Sequence, residues 1–140
     1  MRVEESIDVD RPVEAVWAVV ADHAQDPRWC RKVQSAERVE EGRWRLRHRP
    51  VPLRPALELA VEDLDVEPPH RLTMRETDDG SRFDVEYRIA SAVGGARFTQ
   101  ISDFEFERLP RLLRDVFARG VRRDVRGQLR ALKELVESGG

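Results

Sequence analysis

The chain has 140 residues, enough for one domain with one hydrophobic core and too few for two ordinary ones. Charged residues make up 37 %, yet the formal net charge is only −2, so the whole molecule has no charge footprint of a nucleic-acid binder and no specific nucleic acid is expected. A single cysteine, Cys30, excludes an internal disulfide; with no CxxC or Cys/His cluster no metal is expected, and no run approaches the ~20 apolar residues of a membrane span.

The opening "MRVEESIDVD" alternates and lacks the apolar centre of a signal peptide, so a cytoplasmic protein is expected. There are 23 Arg and 2 Lys, a skew that points to a GC-rich bacterial genome more than to a function. Val3, Glu5, Ile7 and Val9 share one parity and predict a strand with one buried face. Asp10 offers a helix N-cap and Pro12 suits the first turn, where its missing N–H is not needed. Val13, Val16, Trp17, Val20 and Ala21 then recur at helical spacing. "DHAQDP" ends this short helix, and a second short turn carries Pro27 and Trp29.

Strands fill the middle. "KVQSAERVE" and "RWRLRHRP" are joined by the hairpin signal "EEG"; in the second, Trp44, Leu46 and His48 share one face and Arg43, Arg45, Arg47 and Arg49 the other. "VPLRP", with Pro50, Pro52 and Pro55, reads as a loop or edge. Leu57, Leu59 and Val61 lie on one parity and Leu64 and Val66 on the other, which predicts a β-bulge near Glu62 or Asp63. After the "EPPH" turn come Leu72, Met74 and Glu76, then a "DDG" turn. Phe83, Val85, Tyr87 and Ile89 follow, then "VGG", then Phe98, Gln100, Ser102, Phe104 and Phe106 on one face. Beyond Pro110 the period changes to three and four, from Leu112, Leu113, Val116, Phe117 and Val121 to Val125, Leu129, Leu132 and Val136. This predicts one long helix ending at "SGG". Gly120, on its apolar side, is read as permitting a close approach or a kink. An antiparallel sheet with one apolar face needs a cover, and only this helix is long enough.

Four segments carry a family resemblance: "IDVDRPVEAVWAVVADHAQDPRW", "VEDLDVEPPHRLTMR", "YRIASAVGGARFTQISDFEF" and "VRRDVRGQLRALKELVES". In this order they resemble the START/SRPBCC superfamily, in particular its polyketide cyclase/dehydrase-like members. The resemblance implies one α+β domain over residues 1–140 with the helix-grip fold: a curved antiparallel sheet of about seven strands, two short helices after the first strand, and the long C-terminal helix over the sheet. It also implies an apolar pocket between sheet and helix, of the usual small-ligand scale of roughly 300–1,000 Å³. Lipid carriers, polyketide cyclases and hormone receptors share this architecture, so the fold does not choose the activity.

Polar residues on inward parities mark where chemistry belongs, because buried polar groups need partners. These are Glu5, His48, Glu76, Gln100 and Ser102, with Tyr87 supplying a phenol. His48 is a candidate base or hydrogen-bond donor with Glu76 to orient it; the alternative is a strand-end histidine satisfied by backbone or water. Gln100 and Ser102 are either a ligand-orienting pair or a cross-strand hydrogen bond. Trp44 is core or cavity wall. Trp29 is expected to lie over one end of the cavity and close on ligand; the alternative is that it anchors its own loop. Met74, Phe83, Phe104, Phe117 and Val121 complete the expected lining. His23 and His70 fall in loops and are given no role, and Cys30 is read as a packing residue.

The leading expectation is binding of a small hydrophobic or aromatic molecule, such as a lipid, isoprenoid or polyketide, with no cofactor. One alternative is a cyclase or dehydratase using His48, Glu76 and Tyr87. The other is an interaction module. From Glu107 to Lys133 nine basic residues face three acidic ones, with Arg119, Arg122, Arg126, Arg130 and Lys133 on one helix face. That face suits an anionic surface or partner, or simply complements an acidic sheet.

Overall fold

Period-two alternation dominates the sequence, and it becomes a single seven-stranded sheet. The structure, a computed structural model, describes residues 1–49, 52–106 and 109–139, apart from the Phe106 side chain. Pro50, Glu107, Arg108, Gly140 and the expected inward position of Phe106 therefore lie outside the described residues. Strand β1 (Arg2–Val9) is followed by α1 (Val13–Val20) and a 3₁₀ helix (His23–Arg28). Then come β2 (Val33–Glu40), β3 (Arg43–His48), β4 (Leu57–Glu67), β5 (Arg71–Asp78), β6 (Ser81–Ala92), β7 (Gly95–Phe106) and α2 (Arg111–Glu137). The strand order is β1-β7-β6-β5-β4-β3-β2, with every neighbouring pair antiparallel.

The register divides the two faces cleanly. Phe83, Val85, Tyr87 and Ile89 on β6 sit opposite Phe104, Ser102, Gln100 and Phe98 on β7, and all eight point inward with Val3, Ile7 and Val9 of β1. The outer face is charged and cross-linked: Arg75 bonds Asp84 at 2.9 Å and Arg97 bonds Asp8 at 2.9 Å, each pair directly opposed across two strands. Exposed pairs of this kind add little stability, about 0–1 kcal/mol each, but like charges at the same positions would oppose the register.

Helix α1 exists because of what it buries. "VEAVWAVV" is rich in β-branched valine, a weak helix former, and eight residues are too few for an isolated helix. Val13, Val16, Val19 and Val20 are all buried, so tertiary packing holds the helix. Its N-cap is Pro12, not Asp10; Asp10 instead donates its backbone N–H to Glu137 Oε2 at 2.8 Å and ties the helix entrance to the end of α2. The β4 bulge falls between Asp63 and Asp65, one residue beyond the expected place, and leaves Leu64 half exposed on the outside.

The fully buried side chains of helix α2 lie in its second half. Val125, Leu129, Leu132 and Val136 are buried, whereas Leu112 is 91 % exposed and Leu113, Val116 and Phe117 are also exposed. The apolar stripe read along the whole helix therefore corrects to a packed half and an overhanging half. Polar contacts fasten the packed half to β1: Arg122 and Arg126 Nε lie 3.3 and 3.1 Å from Glu5 Oε1, and Lys133 Nζ donates to the Asp8 carbonyl. Gly120 also corrects, since a Cβ there would meet nothing within 4 Å and no close approach requires it. The close approach is at Gly95, where a Cβ would stand 2.1 Å from the Val9 carbonyl oxygen and 2.9 Å from the Arg11 nitrogen.

Two glycine variants separate these roles. Gly95→Ala must displace backbone and is expected to lower the unfolding free energy by more than about 3 kcal/mol. Gly120→Ala, in open space within a helix, is expected to raise it by about 0.5–1 kcal/mol. Urea unfolding of both checks the assignment, and similar losses in the two would contradict it.

Candidate functional site

A cavity of about 520 Å³ lies between the inner sheet face and the middle of α2. Its apolar walls are Val33, Leu46, Leu57, Leu59, Phe83, Val85, Phe117 and Val125. Tyr87, Gln100 and Ser102 contribute polar atoms from neighbouring positions of β6 and β7. The 3₁₀ helix brings Asp26, and the residues after it bring Cys30 and Lys32. Glu76 and Asp78 come from β5 and His48 from the end of β3, while Asp124 and Gln128 close the α2 side.

Beside this cavity lies a buried polar centre in the turn, where no strand or helix period marks an inward face. His23, which the sequence pattern gives no role, is 1 % exposed and held on both ring nitrogens. Nδ1 lies 3.1 Å from Asp26 Oδ2 and Nε2 lies 2.9 Å from Asp63 Oδ1. Burial alone would lower its pKa, but the hydrogen bonds and charges of the two carboxylates outweigh it and raise it to about 10. The ring is therefore an imidazolium at neutral pH, with both nitrogens donating. Trp44 stands edge-on to this ring at 5.6 Å, so it walls the histidine and not the cavity.

Trp29 caps the 3₁₀ helix and is 2 % exposed. Its indole packs at 5.9 Å from Tyr87 and 6.2 Å from Phe98, and it borders an outer groove and not the cavity. The expected lid is thus a core anchor: an indole beside two aromatic rings gains more from staying buried than from swinging over a ligand. Met74 and Phe104 are also core, each 1 % exposed, with Phe104 stacked on Phe83 at 5.1 Å. Val121 packs against the core without reaching the cavity. The structure does bring His48, Glu76, Phe83, Tyr87, Gln100, Ser102 and Phe117 to one cavity.

The polar groups there have distinct states. Glu76 is half-buried because it faces the hollow, yet protein surrounds it; burial and the charge of Asp26 raise its pKa to about 7 against the opposing pull of His23. Burial likewise raises the Tyr87 phenol and the Cys30 thiol, so both stay neutral and Cys30 is no nucleophile. His48 is lowered by burial, partly offset by Asp78, whose Oδ2 is 3.4 Å from Nε2 in a geometry that falls short of a hydrogen bond. Gln100 Nε2 donates weakly to Ser102 Oγ at 3.4 Å, and Gln100 Oε1 and Asp26 Oδ1 are buried with no partner among the described residues.

Two signals for the missed centre were present in the sequence. His23 and Asp26 are three residues apart, on one side of a tight turn. Asp63 continues the inward parity of Leu57, Leu59 and Val61. Among the described residues no group of three or more His, Cys, Asp or Glu could hold a metal ion, and no helix is long and apolar enough to cross a membrane. The outer groove beside α2, about 860 Å³, is lined by Arg31, Lys32, Arg119, Arg122, Arg123, Arg126 and Arg130. Arg122 and Arg126 are already committed to Glu5, and Lys32 to Asp124.

This architecture, a curved antiparallel sheet with a long C-terminal helix gripping a hollow, defines the START-like helix-grip class. The chain belongs to the family described as "Polyketide cyclase / dehydrase and lipid transport", whose profile matches residues 1–137. Among solved structures it is similar to the Zhui aromatase/cyclase from Streptomyces sp. R1128, with 19% identity, 100% of this chain and 98% of that one covered, and a TM-score of 0.83. A START superfamily protein from Mycobacterium smegmatis is similar at 13% identity, 98% and 97% coverage and a TM-score of 0.82. At these identities the likeness concerns the fold. No curated protein matches the chain closely enough to carry an activity over to it.

The raised carboxyl gives a pH signature. A group with a raised native pKa holds its proton more tightly when folded, so stability falls as pH rises from the unfolded to the folded value. For Glu76 that window runs from 4.5 to about 7, and for His23 from 6.5 to about 10. Urea unfolding between pH 5 and 7 is expected to show wild-type stability falling, by on the order of 2 kcal/mol. In Glu76→Gln the slope over this range is expected to shrink markedly. An unchanged slope in the variant would contradict the assignment to Glu76.

Proposed function

We propose that the protein binds a small hydrophobic or aromatic molecule, of lipid, isoprenoid or polyketide type, in the cavity between sheet and α2. The observation that carries this reading is the 520 Å³ hollow itself, which opens between the inner sheet face and α2 and has more apolar than polar wall. Its size falls within the small-ligand range, and interiors otherwise close-pack, so such a space needs a reason. A ligand removing about 200 Å² of apolar surface from water gains about 5 kcal/mol before the cost of association.

A second reading, acid–base catalysis of the cyclase type, has one observation in its favour. His48, Glu76 and Tyr87 border the same cavity, and a carboxyl with a pKa of about 7 is suited to moving protons at neutral pH. The basic face of α2 has less support as a docking surface, because part of it already complements Glu5 and Asp8 of β1.

N-phenyl-1-naphthylamine, a neutral apolar dye, is expected to bind one-to-one with a blue-shifted emission. Leu59→Trp places a large ring in the cavity and is expected to weaken the dye by about tenfold or more while costing at most about 1–3 kcal/mol of stability. Mass spectrometry of molecules extracted from natively purified protein then names the ligand, and its recovery unchanged after incubation with fresh protein distinguishes a carrier from an enzyme. Dye affinity equal in the folded variant and the wild type would overturn the cavity as the binding site.

A further inference from the structure

The walls of the cavity are apolar but its polar complement is one-sided. Five carboxyls border it, Asp26, Glu76, Asp78, Asp79 and Asp124, against one ammonium, Lys32. Lys32 is bonded to Asp124 at the rim, and His48, the other basic group there, faces Asp78. Deeper in, Asp26 is 5 % exposed, spends Oδ2 on His23 and leaves Oδ1 with no partner among the described residues. Gln100, 6 % exposed on β7, leaves its carbonyl oxygen Oε1 in the same condition. Both of these atoms are acceptors; of the other two buried atoms without a partner among the described residues, the Trp29 indole N–H lies outside the cavity lining and His48 Nε2 faces Asp78. Burying an acceptor without a donor costs roughly 1–3 kcal/mol, which a ligand donating at that point would relieve.

Resting on the reading of the cavity as a ligand site, we infer that its ligand is an amphiphile whose polar end is a protonated amine, held by Asp26 Oδ1 and Gln100 Oε1 with Glu76 beside them. An ammonium brings three donors and no acceptor, which matches acceptors in excess. Its charge balances an acidic pocket in which His23 is already committed to two carboxylates. A carboxylate or phosphate head would face five carboxyls in a poorly solvated space, where the one ammonium, Lys32, is already bonded to Asp124 and only neutral donors such as the Tyr87 and Ser102 hydroxyls remain. The apolar body of the amine lies among Leu46, Leu59, Phe83 and Val85.

The test uses decylamine, 1-decanol and decanoic acid, which share one chain, titrated against the intact protein at pH 8 by displacement of N-phenyl-1-naphthylamine. The amine is expected to bind about tenfold tighter than the alcohol, the scale of one charge-assisted hydrogen bond, and the acid weakest. Asp26→Asn keeps the shape and an acceptor for His23 but removes the charge; Glu76→Gln does the same from β5. Each is expected to cut the amine-to-alcohol ratio several-fold, the amine losing more affinity than the alcohol, and either alone suffices if the other fails to fold. Equal binding of all three compounds, or a ratio unmoved in the folded variants, overturns the amine assignment and leaves the cavity reading standing. Displacement of the dye by none of them overturns both.

Discussion

An imidazolium clamped between two carboxylates organises the centre of this domain. His23 joins Asp26 within its own turn to Asp63, 40 residues on in β4, and so pins the 3₁₀ helix to the sheet. The charges meet where water is scarce, so removing one partner would strand the others, a loss of about 3–5 kcal/mol for buried pairs. The Asp26 carbonyl also accepts the backbone N–H groups of Trp29 and Cys30, at 3.2 and 2.7 Å. One turn is thereby fixed from its side chain and its backbone together, and Trp29 is delivered onto Tyr87 and Phe98. Asp26 also borders the cavity, so the clamp and the hollow share a residue.

The hollow follows from how α2 is held. Its second half is locked by four buried side chains and by bonds to β1, at the far edge of the sheet from β2. Strands β3, β4 and β5 curve away from that edge, and side chains from β6 and β7 do not fill the space between. The overhanging first half leaves Leu112, Leu113, Val116 and Phe117 exposed, with Phe117 at the cavity wall. The outer sheet face, by contrast, satisfies its charges in cross-strand pairs. This accounts for a chain that is 37 % charged yet nearly neutral.

Much of the architecture was legible because strand parity and helical spacing are local signals. β3 and the run Phe83–Ile89 of β6 alternate cleanly, β7 alternates except at Gln100, Ile101 and Ser102, and α2 carries a periodic stripe across its whole length. What the stripe does not encode is how far the sheet extends beneath it, so the exposed half of α2 came only with tertiary structure. The candidate site was half legible for the same reason. Glu76, Tyr87, Gln100 and Ser102 sit on strands whose inward face the pattern identifies. Trp29, His23 and Asp26 sit in a turn, where no period assigns a face, and the partner that buries His23 lies on another strand. A tryptophan in a polar segment therefore suggested a lid, when the turn's own hydrogen bonds carry it into the core.

The central claim is that one apolar molecule occupies the space bounded by β3, β4, β5, β6, β7 and α2. Amide chemical shifts recorded by two-dimensional NMR during titration with a neutral apolar ligand test it most directly. The account predicts saturable shifts that cluster at Glu76, Phe83, Tyr87, Gln100, Ser102, Val125 and Gln128, with little change on the outer strand positions. Shifts confined to the basic groove around Arg119, Arg123 and Arg130, or spread over the exposed first turns of α2 without reaching β6 and β7, would contradict it.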